Sequence, residues 1–294
     1  MRLPGSSFGL ALFAAVVTGG RRPPARRRSS AVANPDASLR PAQVLDMPCF
    51  AGDVSTAARA VVERAHARQG GYVCLCNVHV LVLAQSDAGV REALEHAWAV
   101  LPDGWPVAWL QRRTGVPDAE RIAGMELLTE VFELGSEAKL RHFLFGSSPE
   151  VLARMQTQLA ASFPEAEIAG GFSPPFGGLD EVDFAPAVAA IRAASPHIVW
   201  CGLGAPKQEL WMQRHARQIA PAVVLGVGAA FDFAAGTKRR APQWAQKHGM
   251  EGLHRLGSEP RRLIGRYAST GFMFVWYAGA WLARGRPERA SASR

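Results

Sequence analysis

His197-Ile198-Val199-Trp200-Cys201, running into Gly202-Leu203-Gly204-Ala205-Pro206-Lys207-Gln208-Glu209, is the stretch that decides the fold. Its first five residues form an apolar run of strand length. The glycine-bearing loop that follows is tight, and Pro206 suits the first turn of a helix, expected to run to about Ile219. Strand, glycine loop and helix in that order make a βα unit. The same unit repeats in both directions. Downstream, Ala222–Gly226 is a predicted strand that ends in Gly226-Val227-Gly228. Upstream, His142–Phe145 is a strand ending at Gly146-Ser147, after which Ser148 and Pro149 start a helix to about Ser162. Glu167–Ala169 reads as a short strand and Phe184–Ala194 as a helix.

Closer to the N-terminus the signals weaken. Val44–Cys49 reads as a strand, Ser55–Arg68 as a helix capped by Ser55, and Gly71–Asn77 as a buried strand. Val78–Ala84 continues apolar and can begin a helix. Val90–Ala97 is helical, Pro102–Pro106 is a loop, and a short apolar segment extends to Leu110. Alternating strands and helices imply an α/β fold, a Rossmann-like parallel sheet with helices on both faces. The expected organisation is a disordered extension over 1–40, an α/β domain over 41–240, and a basic helical appendage and tail over 241–294.

Charge supports that division. The chain has 294 residues and a net charge of +8. Residues 1–34 carry six Arg and no acid, and residues 255–294 carry eight Arg against Glu259 and Glu288. The two ends together hold +12, which leaves −4 for the middle. A mildly acidic folded region argues against a nucleic-acid partner. Basic ends suit an anionic membrane surface. Phe8–Val17 is too short to span a bilayer, and its charge lies on the wrong side for a signal peptide. Gly271–Ala283, with Trp276, Tyr277 and Trp281, is also too short, but aromatics beside Arg suit a membrane interface. A terminal helix docked on the core is the alternative. Four Cys without a C-x-x-C pair read as buried thiols, and eight His show no zinc spacing.

In an open parallel sheet, ligands gather at the carboxyl ends of the strands. Three glycine loops there point to a nucleotide site, because glycine lets backbone N–H groups approach a phosphate at a helix start. None of them matches the dinucleotide fingerprint or a P-loop. Lys207 can meet a phosphate and Gln208 a sugar or base; the other reading is a solvated first turn with Glu209 favoured by the helix dipole. Asp103, in Pro102-Asp103-Gly104, is the best-placed loop carboxylate for a general base, although Pro-Asp-Gly is also a common turn. Asn77 and Arg121 are similarly open. The Asp-x-Asp triplet that clamps a metal on diphosphate in many sugar-nucleotide enzymes does not occur. Arg255, Arg261, Arg262 and Arg266 can supply that positive charge instead.

Together these segments resemble the WecG/TagA/CpsF glycosyltransferase family. The matching residues are Asn77-Val78-His79, Pro102-Asp103-Gly104-Trp105-Pro106, Arg121-Ile122-Ala123-Gly124 and Phe145-Gly146. They continue through Gly202–Glu209, Gly226-Val227-Gly228-Ala229-Ala230-Phe231-Asp232, Arg240-Ala241-Pro242 and the run from Glu251 to Tyr267. The resemblance spans roughly residues 44–285. It implies an inverting, metal-independent transfer, without a cofactor, from a UDP-sugar to a polyprenyl-diphosphate-linked sugar. It makes the enzyme peripheral at the cytoplasmic, inner face of the cell membrane and leaves an oligomer open. Carried over by motif, Asp103 is the base, and Arg121 and Gln208 line the sugar and diphosphate site. The other motif positions taken as substrate-binding are Asn77, Gly146, Gly202, Gly204, Lys207, Glu209, Gly228 and Asp232. Arg255 and Arg262, with Arg266 nearby, close over the diphosphate. Leu75 stands where the family often has Thr, and Gly252 where Trp is usual. The N-V-H and D-G-x-P spellings resemble an exopolysaccharide branch, which widens the expected donor from N-acetylmannosamine to glucose. A Rossmann-like dehydrogenase or epimerase, and a non-catalytic nucleotide-binding module with a membrane tail, are the rivals.

Overall fold

The computed structural model describes residues 39–238, 241–242, 257 and 260–284. The expectations for residues 1–38, Trp244–His248 and Arg255 lie outside them. The chain enters through a hairpin, β1 (Arg40–Val44) against β2 (Met47–Ala51). This corrects the single strand expected over Val44–Cys49. Leu45 and Asp46 both adopt positive φ, 52° and 61°, the left-handed pair that a two-residue hairpin turn requires. Neither residue is glycine, so the turn carries no sequence signal.

Six parallel strands form the body: β3 (Gly71–Cys76), β4 (Ala99–Pro102), β5 (Arg141–Gly146), β6 (Glu167–Phe172), β7 (Ile198–Gly202) and β8 (Val223–Gly226). Their spatial order is β4-β3-β8-β7-β5-β6. Side chains alternate between two cores. Cys74, Cys76, Phe143, Phe145, Val199, Cys201 and Val224 face one core; Val73, Leu75, Leu144, Trp200, Val223 and Leu225 face the other. Burial on both sides explains why these strands read as unbroken apolar runs.

On the second of these faces lie α1 (Val54–His66), α5 (Gly124–Glu137), α6 (Pro149–Ser162) and the short α9 (Ala230–Ala234). On the first lie α2 (Val78–Leu83), α3 (Ala88–Glu95), α4 (Trp105–Arg113), α7 (Ala185–Ala194), α8 (Lys207–His215) and α10 (Pro260–Ala283). The cap of α1 is Asp53 rather than Ser55: its carboxylate accepts from the Thr56 N–H at 2.6 Å. Ser55 instead donates to Glu130 on α5 at 3.3 Å. Ser148 caps α6 as expected, accepting from the Val151 N–H. The apolar segment to Leu110 is helix α4, and α8 ends at His215, short of Ile219. All four cysteines are free and buried, and burial raises every one of the thiols above its ordinary pKa.

Helix α10 has two characters. Phe274, Ala278 and Trp281 are buried in the first core, and the Trp281 indole N–H donates to Asp46 at 2.8 Å. Phe272, Val275, Trp276 and Leu282 are exposed, Trp276 by 65%. No helix among the described residues is long and apolar enough to cross a membrane.

Candidate active site

The carboxyl ends of β3, β4, β5, β7 and β8 open on one cleft of about 570 Å³. β3 connects to β4, and β7 to β8, toward one edge of the sheet, whereas β5 connects to β6 toward the other, so the winding direction reverses between β7 and β5, within the span of the cleft. That is the ligand crevice of an open α/β sheet.

Backbone forms the floor. Ser147, Gly202-Leu203-Gly204 and Gly226-Val227-Gly228 line it, so the three glycine loops predicted to converge do converge. Two of the glycines are required by geometry. Gly146 has φ of +116°, and a Cβ there would stand 2.7 Å from the Gly202 carbonyl carbon. A Cβ on Gly202 would stand 2.7–2.8 Å from the Phe231 ring, which is buried. The loops can lie side by side only without side chains.

Side chains form the opposite wall. Asp103 follows β4, is half-buried, and its N–H donates to the Cys76 carbonyl at 2.9 Å, which fixes the loop to the end of β3. Asn77 caps α2, its Oδ1 accepting from the Val80 N–H, so its amide nitrogen is the atom it can offer a ligand. The Arg121 guanidinium pairs with Glu126 at 2.8 Å at the edge of the cleft. Asp232 pairs with Lys238 at 3.0 Å, and both line the cleft. Trp105, 43% exposed, stands at the mouth with its ring stacked on Trp109. Thr270 and Gly271 bring α10 to the same opening.

Of the expected site residues, Asp103, Asn77, Arg121, Gly202, Gly204, Gln208, Gly228 and Asp232 line this cleft. Gly146, Lys207 and Glu209 do not. Gly146 shapes the floor from behind. Lys207 donates to the Gly177 carbonyl at 2.6 Å and lies 5.5 Å over the Phe184 ring. Glu209 is fully buried, which rules out the solvated first turn. Its Oε1 accepts from the Gln208 Nε2 at 2.9 Å, and burial raises its pKa to about 7, against the opposing pull of that hydrogen bond. The side chains of Arg262 and Arg266 lie outside the described residues, although both belong to α10. Leu75 lines the cleft, so the departure from the expected Thr falls on the site itself.

Sequence reading missed Lys238, Trp105, Ser147 and Thr270 as site residues. Trp105 and Ser147 carried a signal, since each directly follows a motif turn. Lys238 and Thr270 reach the cleft through tertiary packing and carried none.

Residues 42–288 match the glycosyl transferase WecG/TagA/CpsF family. The chain is similar to curated proteins named N-acetylglucosaminyldiphosphoundecaprenol N-acetyl-beta-D-mannosaminyltransferase. One, from Bacillus spizizenii, is 29% identical over 66% of this chain and 74% of its own. A second, from Bacillus subtilis, is 28% identical over 66% and 73%. A third, from Staphylococcus aureus strain MW2, is 29% identical over 67% and 76%.

Proposed function

We propose a specific reaction for this chain, which belongs to the WecG/TagA/CpsF glycosyltransferase family: transfer of a sugar from UDP to a sugar carried on a polyprenyl diphosphate, in the assembly of a cell-surface polysaccharide. The transferred sugar is of the N-acetylmannosamine or glucose type. The acceptor follows the names of the relatives, whose acceptor is N-acetylglucosamine on diphosphoundecaprenol. One observation carries the reading: a loop carboxylate, Asp103, shares a single cleft with three glycine loops suited to a nucleotide.

The chemistry follows from that arrangement. Asp103 takes the proton of the acceptor hydroxyl as its oxygen attacks the anomeric carbon. The bond to the UDP oxygen breaks on the opposite face, which inverts the anomeric centre. Charge then builds on the departing diphosphate. Backbone N–H groups of the floor and the cations Arg121 and Lys238 stabilise it, joined in this reading by Arg255, Arg262 and Arg266. The exposed apolar stripe of α10 rests on the inner face of the membrane and brings the lipid-borne acceptor to the cleft mouth.

Acceptor-dependent release of UDP tests the proposal. The enzyme is incubated with UDP-N-acetylmannosamine or UDP-glucose, with and without N-acetylglucosaminyl-diphosphoundecaprenol in vesicles. UDP appears only when donor and acceptor are both present, and EDTA leaves the rate within about twofold. The absence of UDP with either donor, or a rate abolished by EDTA and restored by Mg²⁺, would count against it.

A further inference from the structure

Gln208, which the family resemblance places at the sugar and diphosphate, is paired beneath the cleft floor with Glu209, a buried carboxyl for which the reaction above gives no role. Gln208 is 4% exposed and lines the cleft; Glu209 is 0% exposed and does not. The Gln208 amide nitrogen donates to Glu209 Oε1 at 2.9 Å. Two atoms of the pair are buried without a partner, Gln208 Oε1 and Glu209 Oε2. A buried acceptor without a donor is costly and rare, so each such atom calls for an explanation. The orphaned amide oxygen lies against the ligand loop: a Cβ on Gly228 would be 3.2 Å from it. Gly228 has none, so no side chain at that position covers the oxygen, and Gln208 itself lines the cleft.

An amide has two ends of similar shape and opposite hydrogen-bonding sense. Which end faces Gly228 depends on what its neighbour requires. An ionised carboxylate accepts only, so it holds the NH₂ end and turns the carbonyl toward the cleft. We propose that Glu209 is a positioning residue whose buried carboxylate fixes the Gln208 amide with its oxygen toward Gly228, where it accepts a hydrogen bond from an N–H or O–H group of the bound nucleotide sugar. This rests on the function proposed above and assigns Glu209 a role through Gln208 rather than at the ligand.

The pair is also a titratable switch. Glu209 ionises near pH 7 because burial disfavours its charge. The groups facing it include Cys74 and Cys76 of β3 and Cys201 of β7, whose thiols stay neutral because burial raises them. Lys207, next in the chain, is turned toward Gly177, and Glu92 of α3 meets the outer turn of α8 at Gln213. Protonated Glu209 adds an O–H donor to the carbonyl acceptor it keeps. The amide is then no longer held in one sense, and the O–H favours the turned form, which offers its oxygen to Glu209 and presents NH₂ to a ligand group that is itself a donor.

Titration calorimetry of UDP-N-acetylmannosamine at pH 6 and pH 8.5 tests this, because that ligand has no group titrating in between. Wild type should bind about three- to tenfold more weakly at pH 6, the loss expected for one hydrogen bond. Glu209→Gln keeps the shape and can offer either end to Gln208. It should bind with an affinity between the two wild-type values, unchanged by pH. In a Gln208→Ala background, Glu209→Gln should have no further effect, which a purely structural role would not produce. A Glu209→Gln profile that follows wild type, or an undiminished effect without Gln208, overturns the inference and leaves the proposed function standing. No binding of the nucleotide sugar by wild type at either pH would overturn both.

Discussion

The two sides of the cleft are built on different principles. The floor, over β5, β7 and β8, is backbone: three glycine loops, with Gly146 and Gly202 packed so closely that a methyl on either collides. The wall, over β3 and β4, is side chain: Asn77, Asp103, Trp105 and Arg121 on loops and helix starts. A backbone surface offers N–H groups that do not titrate and cannot be exchanged by substitution, which suits an invariant part of a substrate such as a nucleoside diphosphate. A side-chain surface supplies a base and shape selectivity, which suit the reaction and the variable acceptor. Binding should therefore fail when the floor is changed, and turnover when the wall is changed.

The largest effect is expected on the wall. Asp103→Asn should lower kcat by about 100-fold or more, the order expected for loss of a general base. Its Kd for UDP should stay within about threefold of wild type by calorimetry. Equal losses of binding and turnover would erase the division between the two sides. On the floor, Gly146→Ala should do the reverse. Its strained φ and the 2.7 Å approach to Gly202 should cost about 2–3 kcal/mol of stability and weaken UDP binding about tenfold. Denaturant melts and calorimetry on one preparation check both numbers. Trp105→Ala should raise the acceptor KM about fivefold through loss of roughly 1 kcal/mol of ring contact, and leave the donor KM unchanged. A change in donor KM would place Trp105 at the nucleotide instead.

The two sides also differed in how well the sequence revealed them. The floor was legible because each of its loops ends an apolar strand and carries glycine, so local pattern and function coincide. Much of the wall was not. β4 is only Ala99–Pro102, too short to stand out from the apolar residues around it, and α4 was hidden behind the Pro102–Pro106 turn. Helix α5 went unread although Met125, Leu127, Leu128, Val131 and Phe132 are buried at helical spacing. The hairpin turn at Leu45 and Asp46 uses residues that do not announce positive φ. Asp103 was read as a turn residue or a base, and only its place in the cleft beside the glycine loops joins it to a ligand site. The burial of Glu209 was beyond the sequence entirely, since a first-turn Glu is ordinarily solvated.

A smaller effect concerns the sheet under the floor. His142 on β5 packs against both Phe132 and Trp200, its ring centre 4.1 Å from that of Phe132, and accepts from the Trp200 indole N–H at 3.2 Å. Burial lowers its pKa to about 3. The unfolded chain binds a proton near pH 6.5 that the folded chain refuses. The stability held by neutral His142 is therefore complete above that pH and is lost as pH falls toward 3. His197 and His215 shift the same way. The His142 share should be about 1 kcal/mol between pH 6.5 and 5.5. Buried Glu209, raised to about 7, takes up a proton over the same range and works in the opposite direction. Urea melts at the two values in a Glu209→Gln background should therefore show at least the His142 loss, and no loss there would mean the imidazole is charged or exposed in the folded state.

The division between floor and wall can be tested in one measurement. Hydrogen–deuterium exchange of the intact chain, with and without UDP, reports which backbone N–H groups the nucleotide covers. The account predicts that UDP slows exchange at Ser147, Gly202–Gly204 and Gly226–Gly228, and leaves Asp103, Gly104 and Trp105 within error of the free protein. Protection centred on Asp103–Trp105, with the three glycine loops unchanged, would contradict it.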